Sequence, residues 1–210
     1  MKDIIIVGAS GLGMELLEWI KDINEQKPSW RIKGFLDDNL SALDGKKSEP
    51  TIIGTIKDWI PNDNEVFACG LAFPVVKMNV VTLLKSKGAK FETIIHPSTI
   101  IGDNVTIGEG TVIAPRSLLT TNVRIGSFVT FLSSDAGHDS SIGDFSTLSG
   151  KCSINGHVEI GQRAYLGNGS LIYPGKKVGD DAFIGIGSVV INNVKAGTKV
   201  FGNPAKRIDM

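Results

Sequence analysis

From Ile95 onward, aliphatic residues recur every six positions, and this period restricts the fold more than any other feature of the chain. Ile, Leu or Val fills all fifteen positions of two runs that share the period. The runs are Ile95, Ile101, Ile107, Ile113, Leu119, Ile125 and then Ile142, Leu148, Ile154, Ile160, Leu166, Ile172, Val178, Ile184, Val190. A strict short repeat is typical of a solenoid, in which each unit stacks on the next.

The residues around each aliphatic position predict the shape of the coil. Glycine often follows directly, as at Gly102 and Gly143, and a small residue such as Ser170 lies four positions after the aliphatic one. Six residues suit one flat strand and a corner, so three units make a coil with the aliphatic side chains inside. A β-sandwich with chance periodicity is disfavoured, because sandwich strands do not keep so strict a period.

The period breaks once. Ile125 and Ile142 are seventeen residues apart, where three intact units would separate them by eighteen. The break falls within residues 131–141, a stretch that contains His138 and Asp139. Because something other than coil regularity shapes this stretch, it is the first place to look for chemistry.

Residues 1–94 follow a different pattern and form the first predicted domain, and residues 95–210 form the second. Ile4 to Val7 is a short apolar run, as in a strand buried on both faces, and apolar residues at helical spacing follow it. Further runs extend the order to β-α-β, then β-α. We therefore expect a Rossmann-like parallel α/β domain with helices on both faces of the sheet, followed by an all-β parallel β-helix.

The composition narrows the functional classes. The 22 Lys and Arg residues balance the 22 Asp and Glu residues, which argues against nucleic acid or an anionic membrane as a partner. No apolar run approaches the roughly 18 residues of a membrane span. Cys69 and Cys152 have no metal-type spacing and predict two buried thiols in a reducing cytoplasm. We expect a cytoplasmic protein with no metal site.

The first strand is followed by closely spaced glycines. Gly8, Gly11 and Gly13 precede or open the helix, where glycine lets a phosphate approach backbone N–H groups. Their order differs from the dinucleotide pattern G-x-G-x-x-G, which argues against an NAD-dependent oxidoreductase. Asp37 and Asp38 end the second strand, a suitable place for hydrogen bonds to a ribose or a uracil.

Several local motifs together resemble those of a known family. They are Gly8-Ala9-Ser10-Gly11, Phe35-Leu36-Asp37-Asp38, His138-Asp139 followed by Ile142-Gly143-Asp144-Phe145, and Gly202-Asn203-Pro204-Ala205. With the repeats, they make the chain similar to left-handed β-helix acyltransferases of the PglD/NeuD type, which are sugar N- or O-acetyltransferases. The resemblance implies acetyl-CoA as the donor substrate, left-handed coils, and a homotrimer with acetyl-CoA between neighbouring subunits.

His138 is the predicted catalytic residue. Acetyl transfer needs a base that takes a proton from the acceptor, and imidazole, with an ordinary pKa near ~6.5, suits this at neutral pH. Asp139 matches the acidic partner of the family pattern, and a carboxylate bound to one ring nitrogen fixes the tautomer. An exposed loop histidine beside a solvated aspartate is the alternative reading. His96 and His157 are predicted to be structural or exposed, and Cys152 to be a packing residue.

The resemblance also implies residues for the two substrates. Those for acetyl-CoA are Gly156, Asn168, Gly185, Ile186 and Thr147, the last at a position where the family often has His. Those for the nucleotide of a UDP-linked amino sugar are Ser10, Gly11, Leu12, Asp37, Asp38 and Gly70.

The leading functional hypothesis is N-acetylation of an amino group on a nucleotide-linked deoxysugar. O-acetylation of a sugar such as sialic acid uses the same machinery and stays open. A nucleotide-binding β-helix protein without activity is a third possibility, which the intact His138-Asp139 pair disfavours.

Overall fold

The computed structural model describes residues 1–46 and 48–208, and its N-terminal part is a small parallel α/β domain. The strands are β1 (Lys2–Val7), β2 (Trp30–Leu36), β3 (Ile52–Gly54) and β4 (Glu65–Cys69). They pair in parallel in the order β3-β2-β1-β4. The helices are α1 (Gly11–Gln26) and α2 (Pro74–Ser86), and neither described helix is long and apolar enough to span a bilayer.

The two helices cover opposite faces of this sheet. Successive residues of β1 point to alternate sides. Ile4 and Ile6 therefore pack in the cluster that contains α1, and Ile5 and Val7 pack in the cluster that contains α2. The predicted α/β class with helices on both faces is confirmed.

From Ile94 to Arg207 the chain forms a three-sided β-solenoid, as the six-residue period predicts. The eight-stranded sheet contains β5 (Ile94–Ile95), β8 (Val112–Ile113), β11 (Thr130–Phe131), β14 (Thr147–Leu148), β17 (Tyr165–Leu166), β20 (Phe183–Ile184), β22 (Lys199–Phe201) and β23 (Lys206–Arg207). The six-stranded sheet contains β6 (Ile100–Ile101), β9 (Leu118–Leu119), β12 (Asp135–Ala136), β15 (Ser153–Ile154), β18 (Leu171–Ile172) and β21 (Val189–Val190). The five-stranded sheet contains β7 (Thr106–Ile107), β10 (Arg124–Ile125), β13 (Ser141–Ile142), β16 (Glu159–Ile160) and β19 (Lys177–Val178).

The repeated aliphatic side chains fill the interior of the solenoid. Twelve of the fifteen predicted positions, from Ile113 to Val190, belong to one buried cluster. Ile101 differs, because its side chain is 43% exposed. It lies in the first coil, where no earlier coil covers it.

The phase break is a corner that is one residue shorter than the matching corner of the next coil. Leu132 to Ser134 join β11 to β12, whereas Ser149 to Cys152 join the corresponding strands β14 and β15. Asp135 of β12 still pairs with β9 and β15. The shortening therefore stays within one corner and directly precedes the corner that carries His138.

The N-terminal domain packs on the outer face of the eight-stranded sheet. Val112 and Ala114 join the cluster of α1, and Phe128 joins the cluster of α2. Lys77 of α2 is fully buried at this junction. Its ammonium donates hydrogen bonds to Thr130 Oγ1 (2.9 Å), Thr147 Oγ1 (3.1 Å) and the carbonyl oxygen of Ser146 (3.2 Å).

Burial determines the titration of this lysine. Removal from water lowers the pKa of Lys77 to about 7, because the charged form loses its hydration. Burial raises the pKa of the nearby Cys69 thiol, which therefore stays neutral and does not compensate the charge. No ion pair among residues 1–46 and 48–208 includes Lys77, so its charged form is held by neutral oxygens alone.

We predict that the buried lysine makes stability depend on pH. Between pH 7 and the ordinary lysine value of 10.5, the unfolded chain binds a proton at Lys77 that the folded chain releases, so the free energy of unfolding rises with pH. Each pH unit is worth up to about 1.4 kcal/mol. Urea unfolding at pH 7, 8 and 9 should show a smaller rise in Lys77→Met than in the parent. The exposed Lys85→Met, on the same helix, is the matched control. Equal slopes in the parent and Lys77→Met would contradict the assignment.

Candidate active site

The corner between β12 and β13 carries His138 and borders an open groove of about 390 Å³. The groove is also lined by Gly156 and His157 of the next coil and by Thr120 of the preceding coil. The His138 side chain is 60% exposed, so the imidazole can meet a ligand without moving the fold.

Asp139 turns back onto the imidazole of its neighbour. Its backbone lies in the left-handed region (φ 59°), and its Oδ2 lies 2.8 Å from His138 Nδ1. Asn122, from the preceding coil, donates to the other carboxylate oxygen at 2.9 Å. These hydrogen bonds, that of His138 first, hold the pKa of Asp139 below its usual range. The carboxylate is therefore ionised at neutral pH and only accepts, which places a proton on His138 Nδ1.

The second ring nitrogen of His138 faces the next coil. A Cβ atom built on Gly156 would lie 2.6 Å from His138 Nε2, closer than any real contact. Gly156 therefore leaves the space that this ring orientation needs. With the proton on Nδ1, the lone pair of Nε2 is available in the groove to accept a proton.

The structure places His157 beside His138 and Asp139, a position that the sequence did not predict. Its ring meets that of His138 edge to face, with ring centroids 4.9 Å apart. Its Nε2 lies 3.9 Å from Asp139 Oδ2. The available signal was the spacing, because His157 follows Asp139 by eighteen residues, the length of one coil.

Three of the predicted acetyl-CoA residues meet in a second groove. Asn168, Gly185 and Ile186 line a groove of about 320 Å³ with Tyr165 and Phe183. These three residues lie at the corners between the eight- and six-stranded sheets, whereas His138 and Gly156 lie at the corners between the six- and five-stranded sheets. The predicted donor-binding residues therefore divide between two edges of the six-stranded sheet.

Thr147 lies away from both grooves. Its side chain is fully buried between the domains. Its hydroxyl donates to the carbonyl oxygen of Ala72 (2.6 Å) and accepts from Lys77 (3.1 Å). In one copy of the protein, the Thr147 side chain exposes no atom to a ligand. Its hydrogen bonds instead connect the two domains.

The glycine-rich turn of the N-terminal domain is closely packed. A Cβ atom on Gly13 would lie 1.9 Å from the carbonyl oxygen of Gly8, and one on Gly70 would lie 2.8 Å from Gly13 Cα. Ser10 and Gly11 stay exposed at the beginning of α1, and Leu12 beside them is half-buried. The helix N-terminus thus presents backbone N–H groups where an anion can approach.

The two aspartates after β2 hold neighbouring loops. Asp37 accepts from the backbone N–H of Ala9 (2.8 Å) and of Asn39 (2.9 Å). Asp38 accepts from the backbone N–H of Lys57 at 3.1 Å and is exposed. Asp37 therefore connects the glycine-rich turn to the end of β2, and Asp38 connects the end of β2 to the loop at Lys57.

The other predicted packing residues agree with the structure. His96 lies between Asp22 of α1 (3.0 Å) and Ser98 (2.8 Å), which makes it structural. Cys69 and Cys152 are both free thiols, each 1% exposed.

Comparison with known proteins identifies relatives along the whole chain. Residues 3–82 match the family model of the PglD N-terminal domain. The GDP-perosamine N-acetyltransferase of Escherichia coli O157:H7 is 34% identical over 97% of this chain and 95% of its own length. The structure of WeeI from Acinetobacter baumannii AYE has a TM-score of 0.88 and 32% identity, and the match covers 99% of this chain and 100% of that one.

A further solved structure shares the fold at lower identity. PerB from Caulobacter crescentus, in complex with CoA and GDP-perosamine, has a TM-score of 0.87 and 20% identity, and the match covers 100% of this chain and 98% of that one. On the full-length match at 34% identity, this chain belongs to the PglD-type family of sugar acetyltransferases.

Proposed function

We propose that the protein acetylates the amino group of a nucleotide-linked amino-deoxysugar, with His138 as the general base. As a member of its family, the chain is an acetyl-CoA-dependent sugar acetyltransferase. The observation that carries the proposal is the orientation of one ring. Nδ1 of His138 is held by an ionised carboxylate, which leaves Nε2 as the proton acceptor in an open groove.

The geometry supports a direct transfer. The acceptor amine attacks the thioester carbonyl while His138 Nε2 takes its proton, and the tetrahedral intermediate then expels the CoA thiolate. The imidazolium returns the proton to that thiolate, so free CoA leaves and the base is regenerated. Asp139 stabilises the transient positive charge on the ring and keeps the tautomer correct.

We infer that the N-terminal domain holds the nucleotide. The exposed beginning of α1, at Ser10 and Gly11, suits the diphosphate, and the exposed carboxylate of Asp38, which follows β2 in the chain, suits the nucleoside. The sequence predicted a UDP-linked sugar. The relative named for GDP-perosamine supports a GDP-linked amino sugar as the first acceptor to test, and it favours nitrogen over oxygen as the acetylated atom.

We further propose that the working enzyme is a homotrimer in the cytoplasm. The two grooves lie at different edges of the six-stranded sheet, so one acetyl-CoA would contact both most simply if neighbouring subunits contribute one edge each. The apolar residues Leu171 (43% exposed) and Ile186 (63% exposed), on this sheet and its edge, support a covered surface.

The acceptor class is tested by direct assay. We expect acetyl-CoA and GDP-perosamine to yield an N-acetylated product, identified by mass spectrometry, at a higher kcat/KM than a UDP-linked 4-amino sugar. Sialic acid serves as the O-acetylation arm. Turnover of sialic acid alone would overturn the proposed acceptor, and no product with any arm would overturn the enzymatic assignment.

Replacement of the base should leave donor binding intact. We predict that His138→Ala lowers kcat by about 10²- to 10⁴-fold, the usual contribution of general-base catalysis. The dissociation constant for acetyl-CoA, measured by calorimetry, should change little. His96→Ala, in the structural histidine outside the groove, is the control and should keep its rate. A His138→Ala variant with parental kcat would remove His138 from the mechanism.

The glycine below the imidazole provides an independent test of the ring position. Gly156→Ala places a methyl group 2.6 Å from the present position of Nε2, so the ring must turn away. We expect kcat to fall by about 10- to 100-fold while the unfolding midpoint changes little. Gly150→Ala is the matched control, since its Cβ would lie no nearer than 3.5 Å to its closest neighbour. Equal activity of the two variants would argue against the proposed ring orientation.

A further inference from the structure

Two imidazoles and one carboxylate converge at the mouth of the His138 groove. His138, Asp139 and His157 each offer one ligand atom, and the three atoms lie within 4.8 Å of one another. Asp139 Oδ2 lies near both rings, at 2.8 Å from His138 Nδ1 and 3.9 Å from His157 Nε2. The general base therefore belongs to a larger group of donors than acetyl transfer needs.

The stacking of coils holds this group together. Asp139 and His157 occupy the same place in successive coils, and both have left-handed backbones, with φ of 59° and 58°. The backbone N–H of His157 donates to the carbonyl oxygen of His138 at 2.9 Å. Asn122 fixes the far oxygen of Asp139, which leaves Oδ2 facing the two rings.

The donor set is one that zinc prefers. Zn²⁺ binds imidazole nitrogen and carboxylate oxygen at about 2.0–2.2 Å, which separates neighbouring tetrahedral donors by about 3.3 Å. The observed separations of 2.8 Å and 3.9 Å lie on either side of that value. Both imidazoles are exposed, at 60% and 65% of the side chain, so small rotations can close the site around an ion that keeps a water ligand.

We propose that His138, Asp139 and His157 form a divalent-cation site, with Zn²⁺ as its first candidate ligand, and that its occupancy stops acetyl transfer. Binding of the ion stands on the donor geometry alone. The inhibition rests on the proposed function of His138.

The inhibition follows from the tautomer. An ion on Nδ1 displaces the proton that Nδ1 donates to Asp139, and in the neutral ring that proton moves through solvent to Nε2. Nε2 then donates and no longer accepts, so it cannot take a proton from the acceptor amine. The ion also occupies the carboxylate oxygen that would stabilise the imidazolium.

Binding of Zn²⁺ is tested by calorimetry on the untagged full chain. Bound metal is first removed with a chelator, the chelator is then removed, and Zn²⁺ is the only ligand added. We expect one ion per chain, and an affinity at least 10-fold weaker in His157→Gln. The matched control is His96→Gln. His96 Nε2 lies 3.0 Å from Asp22 Oδ2, and this pair belongs to no three-donor group among the described residues, so the variant should bind Zn²⁺ as the parent does. No binding, or equal affinity in His157→Gln and the parent, would overturn the site.

Activity is measured separately, by mass spectrometry of the acetylated sugar, because free CoA thiol also binds zinc. We expect Zn²⁺ to inhibit the parent, and His157→Gln to need at least 10-fold more Zn²⁺ for the same fractional inhibition. If one ion binds and the protein keeps full activity, the proposed site stands and the proposed inhibition is wrong. Absence of acetyl transfer in metal-free protein would instead count against the proposed function, with the binding result unaffected.

Discussion

The in-register stacking of one coil on the next determines the geometry of the site. The strands of successive coils pair in parallel as far as β22, as Thr130 with Thr147 and Ser141 with Glu159, and β23 then pairs with β22 in the antiparallel direction. Corners must then stack as well, which brings His138 over Gly156 and Asp139 over His157. The His138 imidazole therefore owes its position to the backbone hydrogen bonds that join one coil to the next.

The sequence predicted the solenoid well because its core depends on a single repeated choice. An aliphatic residue at every sixth position packs inside the solenoid, whichever residues form the corners. The exception is in the first coil, where Ile101 is exposed. The sequence also singled out His138 and Asp139, since both stand out in the chain beside the phase break, and the structure places the carboxylate on the ring, 2.8 Å from Nδ1. The left-handed backbone of Asp139, which accompanies the turn of its carboxylate toward the ring, has no signal in the sequence.

Contacts between parts distant in sequence could not be predicted from the period. Thr147 was assigned to acetyl-CoA from a motif, yet it lies between the domains with Lys77. Its position depends on how α2 docks on the eight-stranded sheet, which no repeat encodes. The division of the predicted donor-binding residues between two edges differs from this case, because it follows from the repeat. Gly156 precedes Asn168 by two six-residue units, which is less than a full coil, so the two residues fall on different corners.

The three-residue corner from Leu132 to Ser134 has a consequence for how such folds diversify. The missing residue leaves β12 in register with both neighbours, so no later coil is displaced. A solenoid can thus gain or lose a residue at one corner, or vertex, while the strands of the other coils keep their pairing. A vertex can therefore change its length and its side chains while the strands on either side of it keep their pairing.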